Sequence, residues 1–311
     1  MISIVIPLYN KEKQIANTLQ SVFAQTFQEY EIVIVNDGST DRGVEIVKQI
    51  KDSRIRLIEQ KNQGVSVARN TGIQEANYEY IALLDADDEW KPTYLDTQVD
   101  LIRSFPECSV YACAYEFKYS NKTEPLILTK LPFSGEKGML TNYFEVASCS
   151  HPPLWTSAII VRKESIISVG GFPKGVTSGE DLLVWAKLAT HYKIAYNKPS
   201  LVYFHHPESV YDRPPRIEMD GDFVHSQLLL LYNNAEKNIK YQLRKYIGRW
   251  NEMRTVIFIE AGFRGKAFFS LLKIIIYKGI SNKVFFLGFM ILSPSTIQKR
   301  ITKHIRNAKK K

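Results

Sequence analysis

The sequence is poor in cysteine, lacks a long apolar run near its basic end and lacks an even spread of charge. Its 311 residues include three cysteines, Cys108, Cys113 and Cys149. They form no CxxC pair and no even set, which argues against a disulfide framework or a structural zinc site and favours a reducing cytosol. Met1-Ile2-Ser3-Ile4 opens directly on an apolar run without a basic leader or a small-residue cleavage site, so no signal peptide is expected. In the basic end the longest uncharged stretch, Val284 to Gln298, has 15 residues and contains Pro294. A spanning helix needs about 20 apolar residues, so no transmembrane segment is expected there. No internal repeat or low-complexity segment is present.

What is there divides by charge. From Glu236 to Lys311 there are 18 Lys and Arg against 3 Asp and Glu, net +15, whereas residues 1–235 carry 23 against 29, net −6. An acidic body with a basic end suggests two parts with different partners. At 45% hydrophobic residues the chain has material for one sizeable core with an appendage.

The body reads as strands alternating with helices. Ser3–Leu8 (SIVIPL) is an uncharged β-branched run suited to a strand buried on both faces, with Pro7 marking its end. Lys11–Gln25 has helical apolar spacing, Glu31–Val35 is a second strand, and a helix follows over Val44–Ile50. Ile55–Ile58, Ser66–Glu75 and Tyr80–Leu84 continue as strand, helix and strand. This alternation predicts right-handed βαβ units in a mostly parallel sheet, whose ligands bind at the carboxyl edge of the strands. The turn after the first strand (Tyr9-Asn10), Asp37 after the second and Asp85 after the fourth all fall on that edge. Beyond Trp90 the pattern loosens: a helix over Tyr94–Ser104, strands over Ser109–Tyr119 and Ala158–Val161, a helix over Glu180–Thr190, and a break at Tyr211–Pro215. Helical stretches then run over Phe223–Tyr232, Tyr241–Ala261 and Phe268–Tyr277.

Asp85, Asp87 and Asp88 place three carboxylates in four residues. Mg²⁺ and Mn²⁺ take one or two protein carboxylates plus phosphate oxygens, and such a cation neutralises charge on a departing diphosphate. The pattern alone is also that of a solvated acidic turn with Asp88 capping the next helix. Asn36-Asp37-Gly38-Ser39 and Tyr9-Asn10 alone are ordinary turns. Together they offer an aromatic face and a carboxylate for a base, and carboxylates for a ribose and a metal.

SIVIPLYN at 3–10, NDGSTD at 36–41, NQGVSVARNTG at 62–72 and LDADD at 84–88, in that order and spacing, resemble the GT-A catalytic domain of family two glycosyltransferases. The resemblance covers roughly residues 1–210 and is strongest in the first ninety. It implies an α/β GT-A nucleotide-diphospho-sugar transferase fold with a mostly parallel sheet, followed by a C-terminal helical extension. The catalytic domain would span 1–212, with a nucleotide-sugar half to about 90 and an acceptor half to 212, and a basic helical region would span 213–311. By that resemblance Pro7 and Tyr9 line the nucleobase pocket, with Tyr9 stacking on the base, and Asn10 is a further nucleotide-binding residue. Asp37 accepts a base N–H, which favours uracil or thymine. Asn62, Gly64 and Arg69 shape the nucleotide-sugar cradle, Arg69 through a forked guanidinium contact, or else Arg69 pairs with a carboxylate on its own helix. Asp85 reaches the ribose or the metal, Ala86 belongs to the nucleotide-binding set, and Asp87 with Asp85 holds a divalent cation, Mn²⁺ or Mg²⁺.

Gly179-Glu180-Asp181 resembles the family's Glu-Asp motif at a helix start. Asp181 would be the base that inverting transfer needs, with Glu180 assisting. The alternative is that both acids only favour the positive end of the helix. In His205-His206-Pro207-Glu208-Ser209 the family's His-x-x-Ser implies a metal or diphosphate contact for His206, although Phe204 stands where Arg is common. His205 is expected to be structural. Trp155 is either core or the floor of an acceptor sugar.

The implied activity is metal-dependent, inverting transfer of a hexosyl or hexosaminyl group from a nucleotide-sugar donor, UDP-linked by expectation. The acceptor would be a glycan or a lipid-linked sugar in surface-polysaccharide assembly. A nucleotidyltransferase would need a Gly-rich loop with a basic residue where Leu8-Tyr9-Asn10 stands. A nucleic-acid-binding role for the lysine-rich end lacks an aromatic-and-basic pattern, and no nucleic-acid partner is expected. A relative that binds sugar nucleotide without turnover is opposed by Asp87 and Asp181. Apolar runs interleaved with Lys266, Lys273, Lys278 and Lys283 fit a helix lying on the anionic inner face of the membrane, or a helical subdomain with a solvated basic face. The expected location is cytoplasmic and peripheral.

Overall fold

The computed structural model describes residues 1–205, 221–294, 297, 298, 300 and 301. The chain falls into two compact units, Met1–Asp212 and Arg213–Lys311. In the first unit the leading strands are β1 (Ile2–Leu8), β2 (Tyr30–Asp37), β3 (Ile55–Gln60) and β4 (Tyr80–Leu83), interleaved with helices α1 (Ile15–Phe23), α2 (Gly43–Gln49) and α3 (Val65–Glu75). These four strands pair in parallel in the order β3-β2-β1-β4. All of β1 is buried, as its uninterrupted apolar run requires for a strand covered on both faces.

Pro7 does not end β1: it pairs with Val35, and Leu8 continues the strand. The reason is the shortness of β4, whose pairing with β1 stops at Val5 and Leu83. The Val5 carbonyl accepts from Leu84 N–H on the β4 side. Two residues on, Pro7 faces the same side where β4 has ended, so its missing N–H costs no ladder bond.

The remaining elements of this unit are β5 (Glu89–Trp90), α4 (Tyr94–Ser104), β6 (Val110–Lys118), β7 (Thr123–Pro125), β8 (Lys137–Met139) and α5 (Tyr143–Cys149). A 3-10 turn (Thr156–Ala158), β9 (Ile159–Arg162), α6 (Lys163–Ser168), α7 (Glu180–His191) and β10 (Ile194–His205) complete it. The sheet continues as β4-β9-β6-β10-β5, with β7 on β6 and β8 on β10. Strand β9 lies antiparallel between β4 and β6, and β6 and β10 run parallel. One core runs from α1 and β1 through Tyr94, Tyr111 and Tyr115 to Val202.

Close approach of α3 to the sheet depends on Gly72, where a Cβ would come within 2.3 Å of Val5 Cγ1. Helix α1 starts at Ile15, four residues later than the apolar spacing predicts. Lys11 to Gln14 forms a turn instead, which leaves Lys11 at the strand edge rather than on a helix.

The second unit holds α8 (Phe223–Asn234), α9 (Lys237–Glu260), α10 (Arg264–Lys278) and α11 (Asn282–Leu292). Phe258, Leu271, Ile274, Leu287 and Ile291 are among its core residues. Glu252, buried, accepts from Lys278 at 2.7 Å, from Lys283 at 2.5 Å and from Arg249 at 3.1 Å. Burial raises its carboxyl, but the hydrogen bonds and charges of Lys278 and Lys283 outweigh this and hold it lowered.

Candidate active site

The loops after β1 and β2 are laced together. Asn10 adopts a left-handed backbone (φ 51°), which its short polar side chain tolerates. Its Oδ1 accepts from Thr40 N at 2.8 Å, and its own N–H donates to Ser39 Oγ at 3.2 Å. Asn36 Oδ1 accepts from Ser39 N at 2.9 Å. Asp41 accepts from the amides of Glu12 and Gly43 at 2.8 and 3.0 Å. Asn10 thus shapes the rim on which Tyr9 stands, 47% exposed, beside buried Pro7.

Asp37 is 2% exposed. Its Oδ1 accepts from Gln60 Nε2 at 2.7 Å and Gln63 N at 2.9 Å, and its Oδ2 from Gly64 N at 2.8 Å. Gly64 has φ 91°, a conformation that favours glycine, and that turn aims its amide at Asp37 as α3 begins. Three donors leave one of the carboxylate's about four lone-pair sites for a further N–H. Asn62 is exposed on the same loop, its amide nitrogen 2.9 Å from where a Cβ on Gly38 would sit.

At the end of β4 the acids separate into distinct environments. Asp87 Oδ2 pairs with Lys11 Nζ. Asp85 Oδ1 pairs with Arg69 Nη2 at 2.7 Å. Asp88 is buried and accepts from the Ser157 hydroxyl, from the Trp155 indole at 3.5 Å and from His205 N at 3.2 Å. Burial and the neighbouring Asp87 and Asp85 charges hold its carboxyl well above the usual range. Asp88 therefore fastens the acidic turn to the 3-10 turn and β10 instead of capping a helix. Ser157 also accepts from Asp85 N at 3.1 Å, and Thr18 Oγ1 donates to the Ala86 carbonyl at 3.0 Å, so the turn is held from both sides.

Arg69 is buried on α3 and reaches neither solvent nor an acid of its own helix. Its Nη1 lies 3.5 Å from Glu180 Oε1, opposite the Asp85 contact, and its guanidinium stacks 5.0 Å from the Phe172 ring. One cation thus joins the β4 turn to the start of α7. The guanidinium fork expected at the sugar nucleotide is engaged with these two carboxylates. Arg69→Met should lower folding stability by about 3 kcal/mol, the lower end for stripping a partner from buried charge, because Asp85 keeps some solvent. Urea unfolding at pH 7 checks this, and an unchanged midpoint would remove Arg69 from that role.

Asp181 follows Glu180 at the first turn of α7, behind Gly179 in left-handed conformation. Its Oδ1 accepts from Leu182 N at 2.7 Å. Burial and the Glu180 charge push its carboxyl up to about 7, against the lowering pull of Arg69. A carboxylate poised near neutrality is the protonation behaviour a general base requires.

Two carboxylates of oxygen donors, Asp85 and Asp87, are the number a hard divalent cation takes from a protein when phosphate oxygens complete its shell. Among the described residues no three His, Cys, Asp or Glu side chains converge as a ready-made cage. His206 lies outside the described residues. His205 pairs with Glu89 at 2.9 Å, and Trp155 packs on Tyr115 and Phe204 with centroids 5.2 and 4.5 Å away.

Lys11, Ser157 and Asn70 escape the sequence reading. Asn70 exchanges two hydrogen bonds with the Phe172 backbone, at 2.7 and 2.8 Å, fixing the ring under Arg69. Neither Asn70 nor Ser157 belongs to a periodic pattern that would mark it. Lys11 had a usable signal, a lone cation in the turn after the first strand. Residues 8–10 do lack the basic residue of a nucleotidyltransferase loop, but the next residue supplies one to this edge.

Residues 3–163 match the family model described as Glycosyl transferase family 2. The uncharacterized glycosyltransferase YibD of Escherichia coli (strain K12) is 46% identical over 98 residues, 31% of this chain and 28% of that protein. The chain spans between 14% and 36% of the length of curated relatives such as this one. Among solved structures, S. aureus TarS 1–349 in complex with UDP-GlcNAc superposes with a TM-score of 0.71 at 19% identity, over 92% of this chain and 83% of that one. Mannosyltransferase PcManGT from Pyrobaculum calidifontis, solved with GDP-Man and Mn²⁺, gives 0.60 at 18% identity, over 92% and 78%. At these identities the likeness establishes a shared fold, the GT-A α/β architecture.

Proposed function

The chain belongs to glycosyl transferase family 2, and from that premise we propose that it moves a sugar from a nucleoside-diphosphate sugar to a hydroxyl, with inversion. The carrying observation is the position of Asp181. It lies beside Glu180, whose carboxylate is joined through Arg69 to Asp85 of the acidic turn, so the candidate base and the diphosphate-side acids share one charge network.

In this mechanism Asp181 takes the proton of the acceptor hydroxyl as that oxygen attacks the anomeric carbon. The bond from that carbon to the diphosphate oxygen breaks, and the nucleoside diphosphate leaves with the electron pair. Asp85 and Asp87 are the residues that would hold a divalent cation, with His206 as a further candidate. A bound Mn²⁺ or Mg²⁺ supplies neutralisation of the charge growing on the departing diphosphate. Tyr9 offers its exposed face to the base, and the open lone-pair site of Asp37 suits the ring N–H of uracil. Arg69 holds Asp85 and Glu180 in register and takes no proton.

The proposed acceptor is a glycan or lipid-linked sugar in surface-polysaccharide assembly. Peripheral attachment to the inner face of the cell membrane is part of the same reading, supported by the basic second unit. A screen of UDP-, GDP- and dTDP-sugars for Mn²⁺-dependent hydrolysis and thermal stabilisation tests the donor class. Hydrolysis and stabilisation by UDP-sugars are expected, and no response to any donor with or without metal would reject the reading.

Lys11 gives a second handle. Its ammonium pairs with Asp87 Oδ2, so a cation bound through that oxygen would have to displace it. Lys11→Met should tighten Mn²⁺ binding in the absence of nucleotide by up to about fivefold, the worth of a partly exposed ion pair of ~1 kcal/mol. Titration of free Mn²⁺ by its paramagnetic resonance signal reads this directly. Weaker binding by the variant would show that Lys11 does not compete for Asp87.

A further inference from the structure

The second unit carries an apolar surface that the proposed reaction does not use. On α10, Phe268, Phe269, Leu272 and Ile276 are exposed, whereas Ala267, Ser270, Leu271 and Ile274 are buried. At 100° per residue the exposed four fall within one arc, opposite the buried four. On α11 the division repeats: Phe285, Phe286, Phe289 and Leu292 are exposed, and Val284, Leu287, Met290 and Ile291 are buried. The two buried faces meet in the core of this unit, so each helix turns a full apolar face away from it. Phe269 is 67% and Leu292 83% exposed. Eight large apolar side chains exceed the scattered exposure normal for a soluble surface.

The charge of this part of the sequence selects its occupant. From Ala261 to Lys311 the sequence has 12 Lys and Arg and no Asp or Glu. Lys278 and Lys283 are held by Glu252, and the surplus lies largely in the run that follows α11, with Lys299, Arg300, Lys303 and Arg306 before the terminal Lys309-Lys310-Lys311. A second copy of the chain would match the apolar faces but bring the same positive charge against them. A nucleic acid would match the charge but leave the phenylalanines in water. An anionic lipid surface satisfies both, with the apolar faces in the headgroup–acyl boundary and the basic residues among anionic headgroups. Neither helix spans such a layer: α10 has 15 residues and α11 has 11, and among the described residues no helix is long and apolar enough to cross.

We propose that α10 and α11 form a docking surface for an anionic lipid bilayer, entered by their exposed phenylalanines and favoured by the excess of Lys and Arg over Asp and Glu in this part of the sequence. The proposal deepens the membrane-side reading given above, but its test is independent of catalysis. Full-chain protein is sedimented with vesicles of phosphatidylcholine alone or with 30% phosphatidylglycerol, at ~0.1 M and ~1 M salt. Wild type should bind the phosphatidylglycerol vesicles at low salt and lose most of that binding at high salt. The pair Phe285→Glu with Phe289→Glu should reduce the bound fraction at least tenfold with an unchanged circular dichroism spectrum. Because both positions are exposed, Phe285→Ser with Phe289→Ser serves as a second variant if the glutamates disturb folding. Equal vesicle binding by wild type and variants overturns the proposal. It is also overturned by wild type that ignores vesicles but self-associates through these residues, or that binds a mixed RNA in a manner indifferent to the variants. Donor hydrolysis measured without vesicles reports on the glycosyl transfer reading alone, so the two can fail separately.

Discussion

Asp181→Asn should cost at least about a thousandfold in kcat/KM for sugar transfer, within the range for loss of a positioned general base. In the wild-type protein kcat/KM should rise with pH through about 7, because the base works only after losing its proton and burial beside Glu180 holds that proton to near neutrality. The asparagine variant should lose that limb. Stability should move the opposite way. The unfolded carboxyl releases its proton near 3.8 and the folded one near 7, so between these values the folded state alone keeps it. Stability contributed by the protonated form is complete below about 4 and lost as pH rises through 7. The rise corresponds to at most ~4 kcal/mol at 1.36 kcal/mol per tenfold change, and partial solvent contact halves that to about 2. Asparagine carries no charge, so Asp181→Asn should melt higher than wild type at pH 8 and close to it at pH 4. A variant that keeps its transfer rate, or a melting difference that ignores pH, would move the base elsewhere.

This behaviour was only partly legible in the sequence. Glu180 and Asp181 were visible as a motif at a helix start, but Arg69 joining Glu180 to Asp85 was not, because a cation on α3 gives no hint of a partner 111 residues away. Strands β1, β2 and β4 were readable because buried parallel strands are continuous apolar runs, and half-buried β3 through Ile55, Leu57 and Ile58; the ends of β1, β2 and β4 set the edge where Tyr9, Asp37 and Asp85 lie. Strand β10, the longest in the sheet, went unread. Its sequence IAYNKPSLVYFH is broken by Lys198 and Pro199, and its register against β6 shifts between Asn197 and Val202, so neither alternation nor continuity survives. Strand β5 has two residues and no pattern. The role of Asp88 was obscure for another reason. Its partners Ser157 and His205 come from distant segments, and only the fold shows that it fastens the turn while its neighbours face the site.

That division of labour within the acidic turn makes Asp87→Ala the decisive substitution. Asp88 is committed to Ser157 and His205, and Asp85 shares its carboxylate with Arg69 through Oδ1, so Asp87 is the acid of the pair whose counter-ion, Lys11, sits on a short turn and can be exchanged for a metal. Removing it should lower transfer by at least about 10²–10³, the scale for losing one group that stabilises developing charge. The turn itself should survive, since its ties through Thr18, Ser157 and His205 do not involve Asp87. UDP affinity in Mn²⁺ should fall to the value measured with a chelator, while affinity without metal stays within a factor of a few. Lys11 supplies the internal control. If its work in the free enzyme is to shield Asp87, Lys11→Met changes Mn²⁺ binding in the wild-type background and does nothing further once Asp87 is alanine. The two substitutions should then be non-additive in a double-mutant cycle read by Mn²⁺ titration. Additive effects would place Lys11 on a different partner when metal binds. Full transfer activity in Asp87→Ala would remove the metal from this turn altogether.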